Sequence, residues 1–125
     1  MKIGILLIVE EYLKILERKL PPPGDLKYRG ALEYAKNSIQ RGEEIVKQIK
    51  PFVTLPGKKI LEVGCGEGGV AIAFAKAGCL VTAIDNDPDS IRMIQLRSKE
   101  ENISLHIVQK NMEEIDFPKD SFDGA

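Results

Sequence analysis

The sequence has no tryptophan, one histidine and two cysteines among 125 residues, and each scarcity narrows what it can do. Cys65 and Cys79 cannot staple a small disulfide scaffold or furnish a four-cysteine zinc site. Fourteen residues apart, they match no metal-ligand spacing, and His106 lies far from them. The simplest expectation from such usage is a reduced, cytoplasmic protein. Long hydrophobic runs are lacking too. The longest, Ile3 to Val9, has seven residues, where a membrane-spanning helix needs about 20. Glu10 and Glu11 follow it, and no small-residue cleavage site does, so neither a span nor a signal peptide is expected. Charge of one sign is also missing. Lys plus Arg number 18 against 19 Asp plus Glu, a net charge of -1, which leaves no surplus to neutralise phosphates and disfavours a nucleic-acid partner. What is present, 43% hydrophobic and 30% charged residues, is the balance of a folded chain with one core.

Hydrophobic spacing divides the chain in two. Ile5, Ile8, Val9, Tyr12, Leu13, Leu16 and Leu20 recur at three-and-four intervals and predict an amphipathic helix. Pro21, Pro22, Pro23 and Gly24 stop it, because consecutive prolines lack the N–H groups a helix needs. A second helical stretch is expected from a cap at Asp25 to about Ile49, with Gly30 and Gly42 as weak points or breaks, and Pro51 ends it. From Lys59 the pattern changes. Lys59 to Val63 reads as a strand, Val70 to Ala77 as a helix with Gly78 at its C-terminal cap, and Leu80 to Ile84 as a strand ending in Asp85. Asp87 and Pro88 open a helix that runs to about Glu100. A third strand takes Leu105 to Val108, and Phe122 looks like the start of a fourth. Strand and helix alternating in this way predict an α/β fold with a parallel sheet. The expected organisation is a helical segment over 1–57 and a ligand-binding half-domain over 58–125. Because the sequence stops inside the expected fourth strand, a truncated piece of a longer protein is the expectation, with an apolar sheet edge exposed to self-association or to a partner.

The chemistry concentrates in Gly64-Cys65-Gly66-Glu67-Gly68-Gly69, between a strand and a helix. Glycines let the backbone turn sharply and approach a ligand, and a helix N-terminus offers free N–H groups. Asp85, nineteen residues after Gly66, stands at the end of the next strand, where an acid accepts hydrogen bonds from ribose hydroxyls. A nucleoside cofactor follows. Which one is ambiguous, since Gly64, Gly66 and Gly69 satisfy G-x-G-x-x-G, as in nicotinamide-dependent oxidoreductases, while Gly64, Gly66 and Gly68 satisfy G-x-G-x-G. Glu62 separates them. A carboxylate facing the ligand side of the loop repels a pyrophosphate but suits a ligand carrying an ammonium and a sulfonium.

Ile60-Leu61-Glu62-Val63-Gly64-Cys65-Gly66-Glu67-Gly68 with Asp85 downstream resembles the signature of class I S-adenosylmethionine-dependent methyltransferases. Asn111-Met112 and Ile115 to Asp123 resemble the approach to the fourth strand in the small-molecule, quinone-biosynthesis branch of that family. The resemblance implies a Rossmann-like sheet of which this chain supplies strands 3-2-1 and the start of 4. It implies S-adenosyl-L-methionine as cofactor and methyl transfer to a small-molecule acceptor, with no residue here assignable as catalytic. It also implies that Glu62, Gly64, Cys65, Gly66 and Gly68 surround the methionine part of the cofactor. Asp85 would hold the ribose, with Asn86 beside it. Asn111, where the family usually has an acid, and Met112 would meet adenine, held through the Met112 backbone. Three alternatives stay open: a nicotinamide-dependent oxidoreductase, a non-catalytic cofactor-binding fragment or subunit needing a partner, and methylation of tRNA or rRNA, against which the slight negative charge speaks weakly.

Other residues read more plainly. Cys65 is a small side chain filling a tight loop rather than a nucleophile, Cys79 a packed hydrophobe, and His106 a strand histidine. Tyr28, Arg29 and Tyr34 form a solvated helix face. Asp116, Asp120 and Asp123 are turn formers without calcium-loop spacing.

Overall fold

The computed structural model describes residues 2–19, 37–66 and 68–125. Helix α1 (Lys2–Lys19) and helix α2 (Ser38–Ile49) precede an alternation of strand β1 (Lys59–Val63), helix α3 (Gly69–Lys76), strand β2 (Leu80–Asp85), helix α4 (Pro88–Glu100) and strand β3 (His106–Gln109). A short 3-10 helix over Met112–Glu114 follows. The expected cap at Asp25, the prolines after the first helix, Gly30, and the Tyr28, Arg29 and Tyr34 face lie outside the described residues.

The sheet is parallel, in the order β1-β2-β3. Lys59 pairs with Leu80 and Val63 with Ile84, while Thr82 pairs with His106 and Asp85 with Gln109. On the far side of β1, Gly124 forms a parallel bridge to Ile60. The Leu61 N–H donates to the Gly124 carbonyl at 2.9 Å, and the Asp123 carboxylate accepts from the Lys59 N–H at 2.7 Å. The resulting order is 3-2-1 with a fourth strand beginning beside the first, the Rossmann-like arrangement expected from the sequence. Strand β3 starts one residue later than its apolar pattern predicts.

Right-handed crossovers running in one direction place their helices on one face of the sheet. Accordingly a single core joins Val46 of α2, Ala71, Ala73 and Phe74 of α3, Val81 and Ala83 of β2, and Ile94 of α4. Local sequence sets the helix ends. Asp87 caps α4 by accepting from the Asp89 N–H, with Pro88 in the first turn. Beyond α3, Gly78 takes φ +94°, its N–H donates to Ala75 and the Cys79 N–H donates to Phe74. That is the paired hydrogen bonding of a Schellman cap. Gly42 does not break α2. A Cβ there would stand 2.7 Å from the Ala73 side chain and 2.8 Å from the Gly69 carbonyl, so this glycine lets α2 and α3 approach closely.

Helix α1 docks on α4 through buried Ile15 and Leu16, which pack with Met93 and Leu96. Each such burial is worth roughly 1.5–3 kcal/mol. Around that contact Arg92 grips Glu11 through two hydrogen bonds, at 2.7 and 2.9 Å. Arg18 meets Asp89 at 3.0 Å, and Lys19 meets Asp87. Solvent-facing pairs of this kind fix register more than they stabilise. Arg97 of α4 lies 5.2 Å over the Tyr12 ring and donates to the Ser38 hydroxyl, tying α1 and α2 to one side chain. Among the described residues no helix is long and apolar enough to cross a membrane, and none form a metal-binding cluster.

Candidate cofactor site

The loop between β1 and α3 is built from glycines with two different duties. Gly64 (φ +70°) and Gly66 (φ +52°) have nothing within 4 Å of where a Cβ would stand, so their backbone is open to an incoming molecule. Gly68 (φ +78°) is buried, and a Cβ there would overlap the Ile94 side chain; one at Gly69 would overlap Ser38. These two glycines let α3 seat against its neighbours.

Loop amides are turned inward. The N–H groups of Gly64 and Cys65 both donate to the Ile84 carbonyl, at 2.8 and 3.1 Å, and that of Gly68 donates to Cys65. The Gly66 N–H donates to one oxygen of Asp85 at 3.0 Å, and the Asp87 N–H donates to the other at 2.9 Å. A carboxylate oxygen carries two lone pairs. Asp85 is therefore fixed in place by backbone donors while keeping acceptor capacity for hydroxyl groups. Gly64, Asp85, Asn86, Asn111 and Met112, with Val63, Ile84 and Lys110, line one cleft of about 130 Å³. Asn111 is also held locally, its side-chain oxygen accepting from the Glu113 N–H at 3.3 Å, while Met112 is two-thirds exposed.

Four of the cofactor residues singled out in the sequence do not line that cleft, and one of them, Gly66, reaches it only through its N–H on Asp85. Gly68 backs onto Ile94. Cys65 is buried in the core, and its thiol is pushed up to about 12, mainly by burial and further by the Asp85 and Glu62 carboxylates. Such a thiol is neutral at physiological pH, the reverse of an activated nucleophile. Glu62 lines a different, apolar cavity of about 520 Å³ with Ile45, Ile49, Ile60 and Phe74. Burial raises its carboxyl from 4.5 to about 7, an effect that the Ala71 N–H only partly opposes. Its Oε2 is buried with no partner among the described residues. His106 is an exposed strand residue paired with Thr82. Sequence reasoning did not find Lys110 in the cleft, or Ile94 and Ser38 behind the glycines, because each contact is made across the fold and leaves no local pattern.

A family model described as "Methyltransferase domain" matches residues 60–125. The chain belongs to the methyltransferase domain family. Among curated relatives it is similar to the ubiquinone biosynthesis O-methyltransferase of Xanthomonas campestris pv. campestris, 36% identical over 63 residues that make up 50% of this chain and 26% of the relative. The enzyme of the same name from Salmonella paratyphi A is 40% identical over 58 residues, 46% of this chain and 24% of that one. In fold it is similar to the crystal structure of magnesium protoporphyrin IX methyltransferase from Synechocystis PCC 6803 with bound SAM. That match has a TM-score of 0.62 at 19% identity, covering 81% of this chain and 50% of the other. The aligned part of the methyltransferase family relatives is thus about a quarter of their length.

Proposed function

We propose that this chain binds S-adenosyl-L-methionine and serves a methyltransferase acting on a small-molecule acceptor. The observation that carries the reading is the inward-turned glycine loop. A pyrophosphate is held by free backbone N–H groups, yet the amides of Gly64, Cys65, Gly66 and Gly68 are all spent on protein acceptors. Beside them stand an acid and open glycine backbone, which suit ribose hydroxyls and a cationic amino-acid tail. Nicotinamide dinucleotides are therefore disfavoured, in agreement with family membership.

The residues present fit the group. Asp85, held by the Gly66 and Asp87 amides, would take the ribose, and Gly64 and Gly66 would pass beneath the methionine part. Asn86, Asn111 and Met112, which share the cleft with Asp85, would border adenine. Asn111 accepts without charge, so the Met112 backbone would carry more of that contact. When bound, the cofactor supplies an electrophilic methyl group on sulfonium. What these residues contribute is orientation and exclusion of water, the larger part of catalysis in such transfers. The small-molecule acceptor is supported by the quinone-biosynthesis relatives. A cytoplasmic setting is supported by two buried free thiols, and division of labour between residues 1–57 and 58–125 by the site lying wholly in the latter. Among the described residues, pairing on the outer edge of β1 involves Lys59 to Leu61 only, and we propose self-association or a partner at the rest of that edge.

Calorimetric titration with S-adenosylhomocysteine and, separately, NADH tests the reading. Saturable binding of the first and none of the second is expected; the opposite preference would replace it with an oxidoreductase.

A further inference from the structure

The hydrogen bonds that fix Asp85 can be followed one step further back. Its Oδ1 accepts from the Asp87 N–H at 2.9 Å, and the Asp87 side chain is itself held from three sides. Its Oδ1 accepts from the Asp89 N–H at 3.0 Å and its Oδ2 from the Ser90 hydroxyl at 3.2 Å. Both are local bonds at the start of α4. The third partner comes from sixty-eight residues away, where Lys19, the last residue of α1, donates to the same Oδ2.

This contact joins a helix end to a helix start. Asp85, Asp87 and Asp89 occupy alternate positions in one turn, and like charges so close repel. Arg18 and Lys19, in the last turn of α1, meet Asp89 and Asp87. Cations at a helix C-terminus and acids at a helix N-terminus each also suit the local dipole. Buried Ile15 and Leu16 seat the same helix on Met93 and Leu96 of α4, so Lys19 is delivered by a packed element. We propose that Lys19 is a positioning residue: through Asp87 it couples the docking of α1 on α4 to the placement of Asp85, the acid proposed to take the ribose. It acts through the Asp87 backbone and not by contact with the cofactor. Lys19 holds the Asp87 carboxyl below its ordinary value, in keeping with the pairing. As a statement about affinity, the inference rests on the methyltransferase reading; as a statement about the turn, it does not.

Lys19→Met removes the charge and keeps the stem, Lys19→Arg keeps the charge, and Asp87→Asn keeps an oxygen for the cap without the charge. Calorimetric affinity for S-adenosylhomocysteine is expected to fall about fivefold in Lys19→Met and in Asp87→Asn, the scale of a favourable partly exposed pair. The double variant should lose no more than either single one, because both remove the same interaction. Lys19→Arg should stay within about twofold of wild type, since either cation reaches the carboxylate. Coupling is reciprocal, so saturating wild type with S-adenosylhomocysteine should slow amide exchange at Ile15 to Lys19 by the same factor of about five. That slowing should vanish in Lys19→Met. Additive losses in the double variant would overturn the proposal, as would equal losses in the Arg and Met variants. So would wild-type affinity in Lys19→Met with only thermal stability reduced, the pattern of a merely structural pair. Should wild type not bind the nucleoside at all, the methyltransferase reading fails by itself. Exchange at the Asp87 amide of the ligand-free protein then still judges Lys19: about threefold faster exchange in the Met variant than in the Arg variant is expected, and equal rates would overturn its role in the turn.

Discussion

Gly64 and Gly66 on one side, Gly68 and Gly69 on the other, stand within six residues of sequence and do unlike work. The first pair lies open, with nothing within 4 Å of a substituted methyl group, while the second pair is pressed against Ile94 and Ser38. A loop that binds a small molecule needs both kinds. Open backbone admits the ligand, and closed backbone fixes the helix whose first turn the loop becomes. The proposed reading therefore assigns binding to the front pair, while the rear pair packs against the core.

The sharpest way to break that division is Gly68→Ala. Left-handed backbone costs a residue with a Cβ about 1–2 kcal/mol, and forcing a methyl into a filled core costs about 1–3 kcal/mol more. We expect a loss of about 3 kcal/mol in denaturant unfolding. Loss below about 1 kcal/mol would mean that Ile94 yields readily and that the rear glycines are not packing glycines. Gly66→Ala should show the complementary result. Its φ of +52° makes strain of about 1 kcal/mol unavoidable, yet no clash is added, so stability falls little while S-adenosylhomocysteine affinity drops at least tenfold. An unchanged affinity would move the ligand away from the front of the loop.

A change of pH tests the burial behind the loop. Glu62 titrates at 4.5 as a free group and at about 7 in the folded chain, so between those values the folded state holds more protons than the unfolded one. Its contribution to stability is complete below pH 4.5 and is lost as pH rises through about 7. The unfolding free energy of wild type minus that of Glu62→Gln should accordingly decline across this window. A difference that stays flat would show that the carboxyl is not buried as described.

Much of the fold was legible because its signals are local. The short strand Lys59 to Val63, the Asp87-Pro88 helix start and the Gly78 stop each arise within a few residues, and all three appear in the structure. The position of Asp85 could be read for the same reason, since one strand–helix–strand unit fixes its distance from the loop. Roles inside the glycine run could not be read. Every glycine satisfies a spacing rule equally, and what separates them is whether Ile94 or Ser38 stands behind, a matter of tertiary contact. Gly42 misled for a related reason. Alone in a helical pattern it signals weakness, whereas against Ala73 it permits close approach. Glu62 could be singled out as an acid next to the loop, but its place in the apolar cavity that Ala71 also lines depends on the helix returning over the strand.

The central claim is that Asp85, fixed by the Gly66 and Asp87 amides, is the anchor for a nucleoside at this loop. Calorimetry with S-adenosylhomocysteine on wild type and on Asp85→Ala tests it most directly. Saturable one-site binding by the folded wild type, weakened at least a hundredfold in a variant whose circular dichroism is unchanged, is the result this account predicts. Equal affinity in the two proteins would contradict it.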